Sequence, residues 1–164
     1  MDMAVRQLTY EEWLESMARS TSAAAVVFYD ADFRMLLLHA TYEDCWQPAG
    51  GTVEHGQDPW QAALREVAEE TGHQLSGPPR LLGVDWYRPA SLDPYAQFLF
   101  QGPCIDRRTF SVTLSDEHDA WDLRTVEEWE PLVGPDHAAR LALVRDALRT
   151  GQALYLHDGR PVGS

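Results

Sequence analysis

A chain of 164 residues with 45% hydrophobic residues spread along its length can bury a core and is too apolar to stay disordered. Its net charge of −13 disfavours nonspecific binding to nucleic acid or to an anionic membrane, both of which need clustered Lys and Arg. A phosphorylated substrate stays open, because a bound cation inverts the local charge.

The first predicted element is a helix over 9–18, with Thr9 and Glu12 as a capping-box pair and Tyr10, Trp13, Leu14 and Met17 on one face. That face is expected to pack on the domain's own sheet, with a homodimer contact as the alternative. Ala23 to Tyr29 and Arg34 to His39 are apolar runs around Asp30-Ala31-Asp32 and read as a hairpin. Tyr42 to Pro48, where Trp46 reads as a packing residue, leads into a glycine-rich loop. A helix follows, with Asp58 as N-cap, Pro59 at its first position, Gln61 as capping partner and Gly72 past its end.

Beyond a loop at Ser76-Gly77-Pro78-Pro79, strands are predicted at Arg80–Trp86, Tyr95–Gln101, Thr109–Leu114 and Trp121–Val126. The loops between them are Tyr87–Pro94 and one holding Asp116, Glu117, His118 and Asp119. Glu127 to Trp129 reads as a brief helical turn and 136–149 as a helix with Leu141, Val144 and Leu148 on one face. Residues 152–164 form a tail or terminal hairpin turning at Asp158-Gly159, whose second arm Pro161 confines to an edge. Strands interleaved with helices predict a single α/β domain over 1–164.

The helix after the glycine loop carries the chemistry. At 100° per residue, Trp60, Ala63, Leu64, Val67 and Thr71 share a core-facing stripe. Glu66, Glu69 and Glu70 lie on the other side at i, i+3 and i+4, so their carboxylates converge. Arg65 is the nearby cation and is expected to point partly away. Such an oxygen-rich cluster suits a hard divalent cation, Mg2+ or Mn2+. A solvated acidic face is the plainer reading; the glycine loop in front argues against it.

From Gly51 to His73 the stretch resembles a Nudix box: Gly, five residues, Glu, seven residues, Arg-Glu, an apolar residue, any residue, Glu-Glu, any residue, Gly, then an apolar residue. Gly51, Arg65, Glu66, Val67, Glu69, Glu70 and Gly72 match in register. Gln57 stands where the first Glu belongs, and His73 where an apolar residue belongs. The resemblance implies an α/β/α sandwich with a mixed sheet, and hydrolysis of a nucleoside diphosphate linked to another group. It also implies metal ligation by Glu66, Glu69, Glu70 and the carbonyl of Gly50, with Arg65 orienting the carboxylates. Glu117 is the candidate ligand or general base from outside the box, and His118 a weaker one. Arg88, with Trp86 and Tyr87, is the candidate cradle for a phosphate and a base. The partner is then a small nucleotide or other diphosphate, with no nucleic acid and no membrane.

Gln57 keeps a second function class in play, a nucleotide-binding or regulatory protein with little turnover. Isoprenyl diphosphate isomerases share the fold, but their cysteine context is not recognisable around Cys45 or Cys104. Without HExxH or Gly-x-Ser-x-Gly, zinc-protease and serine-hydrolase readings are disfavoured. The two cysteines lack CxxC spacing and read as reduced thiols of a cytoplasmic protein. No basic start with an apolar run resembles a signal peptide, and no run approaches a membrane span. Lys and Asn are absent and Ile occurs once, at Ile105, which points to a GC-rich, bacterial genome.

Overall fold

Strand β1 (Thr21–Tyr29) is the centre of a mixed sheet because its residues Ala24 to Phe28 are all buried, on both faces. Consecutive strand residues point to opposite faces. Ala24, Val26 and Phe28 therefore join one apolar cluster, and Ala25 and Val27 the other. The computed structural model describes residues 8–17, 20–90 and 93–163.

β1 turns at Asp30 into β2 (Met35–Ala40). Asp30 Oδ1 accepts from the backbone N–H groups of Asp32 (3.0 Å) and Arg34 (2.9 Å), which closes the predicted hairpin. β3 (Cys45–Gln47) and β7 (His118–Arg124) flank β2 as antiparallel neighbours. β4 (Ala49–Thr52) pairs with the start of β1, so half of the predicted glycine loop is strand. On the other side β1 runs parallel to β6 (Tyr95–Cys104), followed by β5 (Leu81–Tyr87), β8 (Leu154–His157) and β9 (Arg160–Pro161). The β8–β9 turn lies at Asp158 and Gly159, both at positive φ, as expected.

Helices cover both faces. Helix α2 (Pro59–Thr71) buries Ala62, Ala63 and Val67 against β1, β2 and β6 residues. α3 (Val126–Val133) and α4 (Pro135–Thr150) cover the other face, with Trp129, Leu141, Val144 and Leu148 buried. Trp129 donates its indole N–H to the Met35 carbonyl at 2.9 Å and packs on Trp46 at 5.0 Å between ring centroids. Capping by Thr125 and burial of Trp129 extend the predicted brief turn into two turns of helix. The arrangement is an α/β/α sandwich with a mixed sheet.

Two expectations fail. Thr109–Leu114 alternates like a strand, yet it pairs with none among the described residues. Its backbone partners come from elsewhere: Thr109 N–H and Phe110 N–H bond to Asp106 O, and Thr113 N–H to Thr71 O at the end of α2. Phe110, Val112 and Leu114 pack on the α2-side cluster, so alternation here marks docking on a helix end. Helix α1 (Tyr10–Ser16) has its predicted capping box but buries no residue, with Tyr10 67% and Trp13 48% exposed. The expected packing of α1 on the sheet is absent among the described residues; the predicted end of this helix at residue 18 lies outside them.

Candidate active site

The site is built where β4 meets α2. Asp58 caps α2 as predicted, accepting from Trp60 N–H (2.8 Å) and Gln61 N–H (2.9 Å). Gly72 ends it at φ 74°. The buried stripe, however, takes in Ala62 and Glu70 as well as Ala63, Val67 and Thr71. Glu70 is therefore not on a solvated acidic face. It is 5% exposed, and its Oε2 accepts the Gly50 N–H at 2.8 Å.

Burial, joined by the charges of Glu66, Glu117 and Glu69, pushes the Glu70 carboxyl up to about 8 against the pull of the Gly50 N–H. Burial also raises Glu66, with the charges of Glu69 and Glu117, against the pull of Arg65. Two carboxyls are thus short of positive charge. All the candidate donors are oxygens, which fits a hard divalent cation.

Arg65 does not point away, as its helical position suggested. It pairs with Glu66 (2.8 Å) and Glu69 (3.0 Å), approaches Glu54 to 3.8 Å, and donates to the Thr52 carbonyl at 3.1 Å. Burial opposes its charge, and Glu66, Glu54 and Glu69 together raise its pKa regardless. With Arg65 on Glu66 and Glu69, and Gly50 on Glu70, the convergence expected from spacing alone is not reached. Among the described residues no three His, Cys, Asp or Glu side chains gather at metal-ligating geometry.

A family model described as the NUDIX domain matches residues 19–146. The chain belongs to the Nudix family. Its class of chemistry is hydrolysis of a phosphorus-containing anhydride, as a Nudix-type pyrophosphohydrolase. The fold is similar to that of a MutT protein from Methanosarcina mazei Go1, at 19% identity and a TM-score of 0.65 over 84% of this chain and 99% of that one. It is similar to an ADP-ribose pyrophosphatase from Streptococcus suis 89-1591, at 18% identity and TM-score 0.62 over 85% and 100%. An Ap4A hydrolase from C. elegans is 27% identical, with a TM-score of 0.57 over 80% and 99%.

Both departures from the Nudix pattern have a physical account. His73 stacks on Phe110 at 4.4 Å, 8° from parallel, and its Nε2 meets the Ser111 carbonyl at 2.6 Å. Its ring thus packs flat where an apolar residue is expected. Gln57 makes no hydrogen bond to Arg65. Its Oε1 accepts the Glu54 N–H (3.2 Å) while its own N–H bonds the Glu54 carbonyl (3.1 Å), closing a turn with Gly56 at φ 85°. Glu54 lies at no defined position of the Nudix pattern, so nothing in the sequence marks it as a partner of Arg65.

Outside the Nudix box, Glu117 lies near enough for its charge to raise both Glu66 and Glu70. Its carbonyl accepts from Thr41 N–H (2.9 Å) and Thr41 Oγ1 (3.1 Å), which pins this loop to the sheet. Next to it, His118 has a fully buried side chain. Its Nδ1 meets Ser115 Oγ at 3.1 Å, and its Nε2 sits 3.6 Å from Glu70 Oε1 with no hydrogen-bond partner among the described residues. Burial lowers its pKa and favours the neutral ring.

The Arg88, Trp86 and Tyr87 cradle does not form. Arg88 is held by Asp158, which accepts its N–H (2.7 Å), Nε (3.0 Å) and Nη2 (2.7 Å). Trp86 and Tyr87 are consecutive in β5 and so face opposite sides of the sheet, with Tyr87 edge-on to Tyr95 at 5.5 Å. Residues 91 and 92 of the adjoining loop lie outside the described residues.

The paired glycines give a contrasting prediction. A Cβ on Gly50 would fall on the Ala24 carbonyl and within 2.5 Å of Ala25 Cα, both backbone. Gly50→Ala must part β1 from β4 and lower stability by about 2 kcal/mol in denaturant unfolding. A Cβ on Gly51 meets the Glu66 carboxylate, a side-chain end that can swing away. Gly51→Ala should keep its stability within about 1 kcal/mol of native and lose turnover at least ~10-fold in steady-state assays.

Proposed function

We propose that the protein hydrolyses the diphosphate of a nucleoside diphosphate linked to another group, using Mg2+ or Mn2+ held by Glu66, Glu69, Glu70 and the Gly50 carbonyl. One observation carries this reading. Glu70 is buried beside three other carboxylates and is raised to about 8, an arrangement that costs stability unless a cation or a proton is supplied. When bound, the ion neutralises charge on the phosphoryl oxygens and makes a water molecule more acidic.

The chain's own residues then divide the work. The Gly50 N–H fixes the Glu70 carboxylate. In the metal-free protein Arg65 holds Glu66 and Glu69 in ion pairs beside the site, from which they turn to the ion. In this scheme Glu117, exposed and pinned through its backbone, takes a proton from the attacking water. Two free cysteines, Cys45 and Cys104, fit a reducing cytoplasm. Among the described residues no helix is long and apolar enough to cross a membrane.

The test is a screen of nucleoside triphosphates, dinucleoside polyphosphates, nucleotide sugars and coenzymes with Mg2+ or Mn2+, scored by product mass. Cleavage products of at least one compound, lost on adding a chelator, are expected. Metal-independent cleavage, or no cleavage across the screen, would overturn the reading.

A further inference from the structure

Arg65 has two sets of partners. Glu66 and Glu69, its closest, are proposed to turn to the metal. The second set is Glu54 at 3.8 Å and the Thr52 carbonyl at 3.1 Å. Once Glu66 and Glu69 are drawn to a divalent ion, a guanidinium only 25% exposed loses its two nearest counter-charges. An unpaired charge at such a site is unfavourable, and the pull of Arg65 on its old partners would oppose metal binding. Arg65 also has a donor to spare: its buried Nε has no acceptor among the described residues.

We infer that Glu54 is a reserve counter-charge that takes over Arg65 as Glu66 and Glu69 turn to the metal, with Gln57 holding Glu54 in place. The inference rests on the metal site proposed above. Of the three carboxylates paired with Arg65, Glu54 alone is not a candidate ligand. Its side chain is 63% exposed, so it can close a gap of 3.8 Å without disturbing the core. Its main chain is fixed by the reciprocal bonds with Gln57. A neutral residue at 57 is then sufficient: it secures an N–H, and the charge comes from three residues earlier. Glu54 is a positioning residue, acting on the ion only through Arg65.

A double-mutant cycle read by Mn2+ calorimetry tests this without requiring turnover. Glu54→Gln should weaken Mn2+ binding about three- to tenfold, with the melting temperature unchanged because the side chain is exposed. In an Arg65→Gln background the same change should alter affinity by less than about twofold, since there is no guanidinium left to hold. Gln57→Ala, which frees the Glu54 N–H, should shift affinity in the same direction as Glu54→Gln. The inference fails if Glu54→Gln binds Mn2+ as the native protein does. It fails also if the loss is equal in both backgrounds, since Glu54 would then act on the ion as a bare charge. Should thermal melting show Arg65→Gln unfolded, Gln57→Ala decides: unchanged affinity overturns the role. A native protein that binds no Mn2+ at millimolar concentration overturns the metal site itself, and this inference with it.

Discussion

Glu70→Gln lowers turnover roughly a hundredfold, about 2.7 kcal/mol of transition-state stabilisation, while leaving the fold intact. The substitution keeps the side chain's length and an oxygen for the Gly50 N–H, which Glu70 accepts at 2.8 Å. It removes the one negative charge in this cluster that is almost wholly buried, at 5% exposure. Glu69→Gln should lose less, at least ~10-fold, because its side chain is 57% exposed and water can replace part of what it supplies. The measurement is kcat and KM on a substrate from the screen at saturating Mg2+, with thermal melting in parallel. Near-normal turnover of Glu70→Gln would remove Glu70 from the metal site. A collapsed melting transition would mean its bond to Gly50 is structural.

The metal-free protein loses stability as pH rises from about 5 to 8. Glu70 titrates near 4.5 when unfolded and near 8 when folded, so over that interval the folded chain holds a proton that the unfolded chain has released. Its contribution to stability is complete below the unfolded value and is lost as pH rises through the folded one. The gap between 4.5 and about 8 sets a ceiling of ~5 kcal/mol, and local relaxation leaves roughly 2–3 kcal/mol. Glu66 and His39, both raised, act in the same direction. His118 and His137, both lowered, act oppositely. Denaturant unfolding in EDTA at several pH values isolates the Glu70 share by comparison with Glu70→Gln, whose profile should be flatter. Mg2+ should restore more stability at pH 8 than at pH 6, since at the lower pH it must first displace the proton. Parallel profiles for the two proteins would show that another group titrates.

The elements that could be read ahead of the structure are those whose signals are local. Asp58, Pro59 and Gly72 bound α2 because capping depends on neighbours two or three residues away. The Asp158-Gly159 turn follows from the two residues that must take positive φ. The Nudix box is likewise a pattern of adjacent positions, and it carried the fold and the reaction class.

What the sequence could not decide depends on which distant segment lies alongside. Helical spacing put Glu70 with Glu66 and Glu69 on a solvent face. In the fold it is buried, with the Gly50 N–H of β4, twenty residues back in sequence, on one carboxylate oxygen and His118 of β7 3.6 Å from the other. Arg65 carries no mark of choosing Glu54, whose position is set by a turn that Gln57 closes. Arg88 reads from its loop as a candidate phosphate ligand, but Asp158, seventy residues away, holds it. Thr109–Leu114 has the alternation of a strand, but its backbone N–H groups bond to Asp106 and to Thr71 at the end of α2 instead. Local hydrogen bonds and periodicity are written in consecutive residues, so the sequence by itself determined the helix, its caps and the acidic residues it presents. Burial and charge pairing are properties of surfaces brought together by the whole chain, so only the tertiary structure decided which of those carboxylates is buried and which cation answers them.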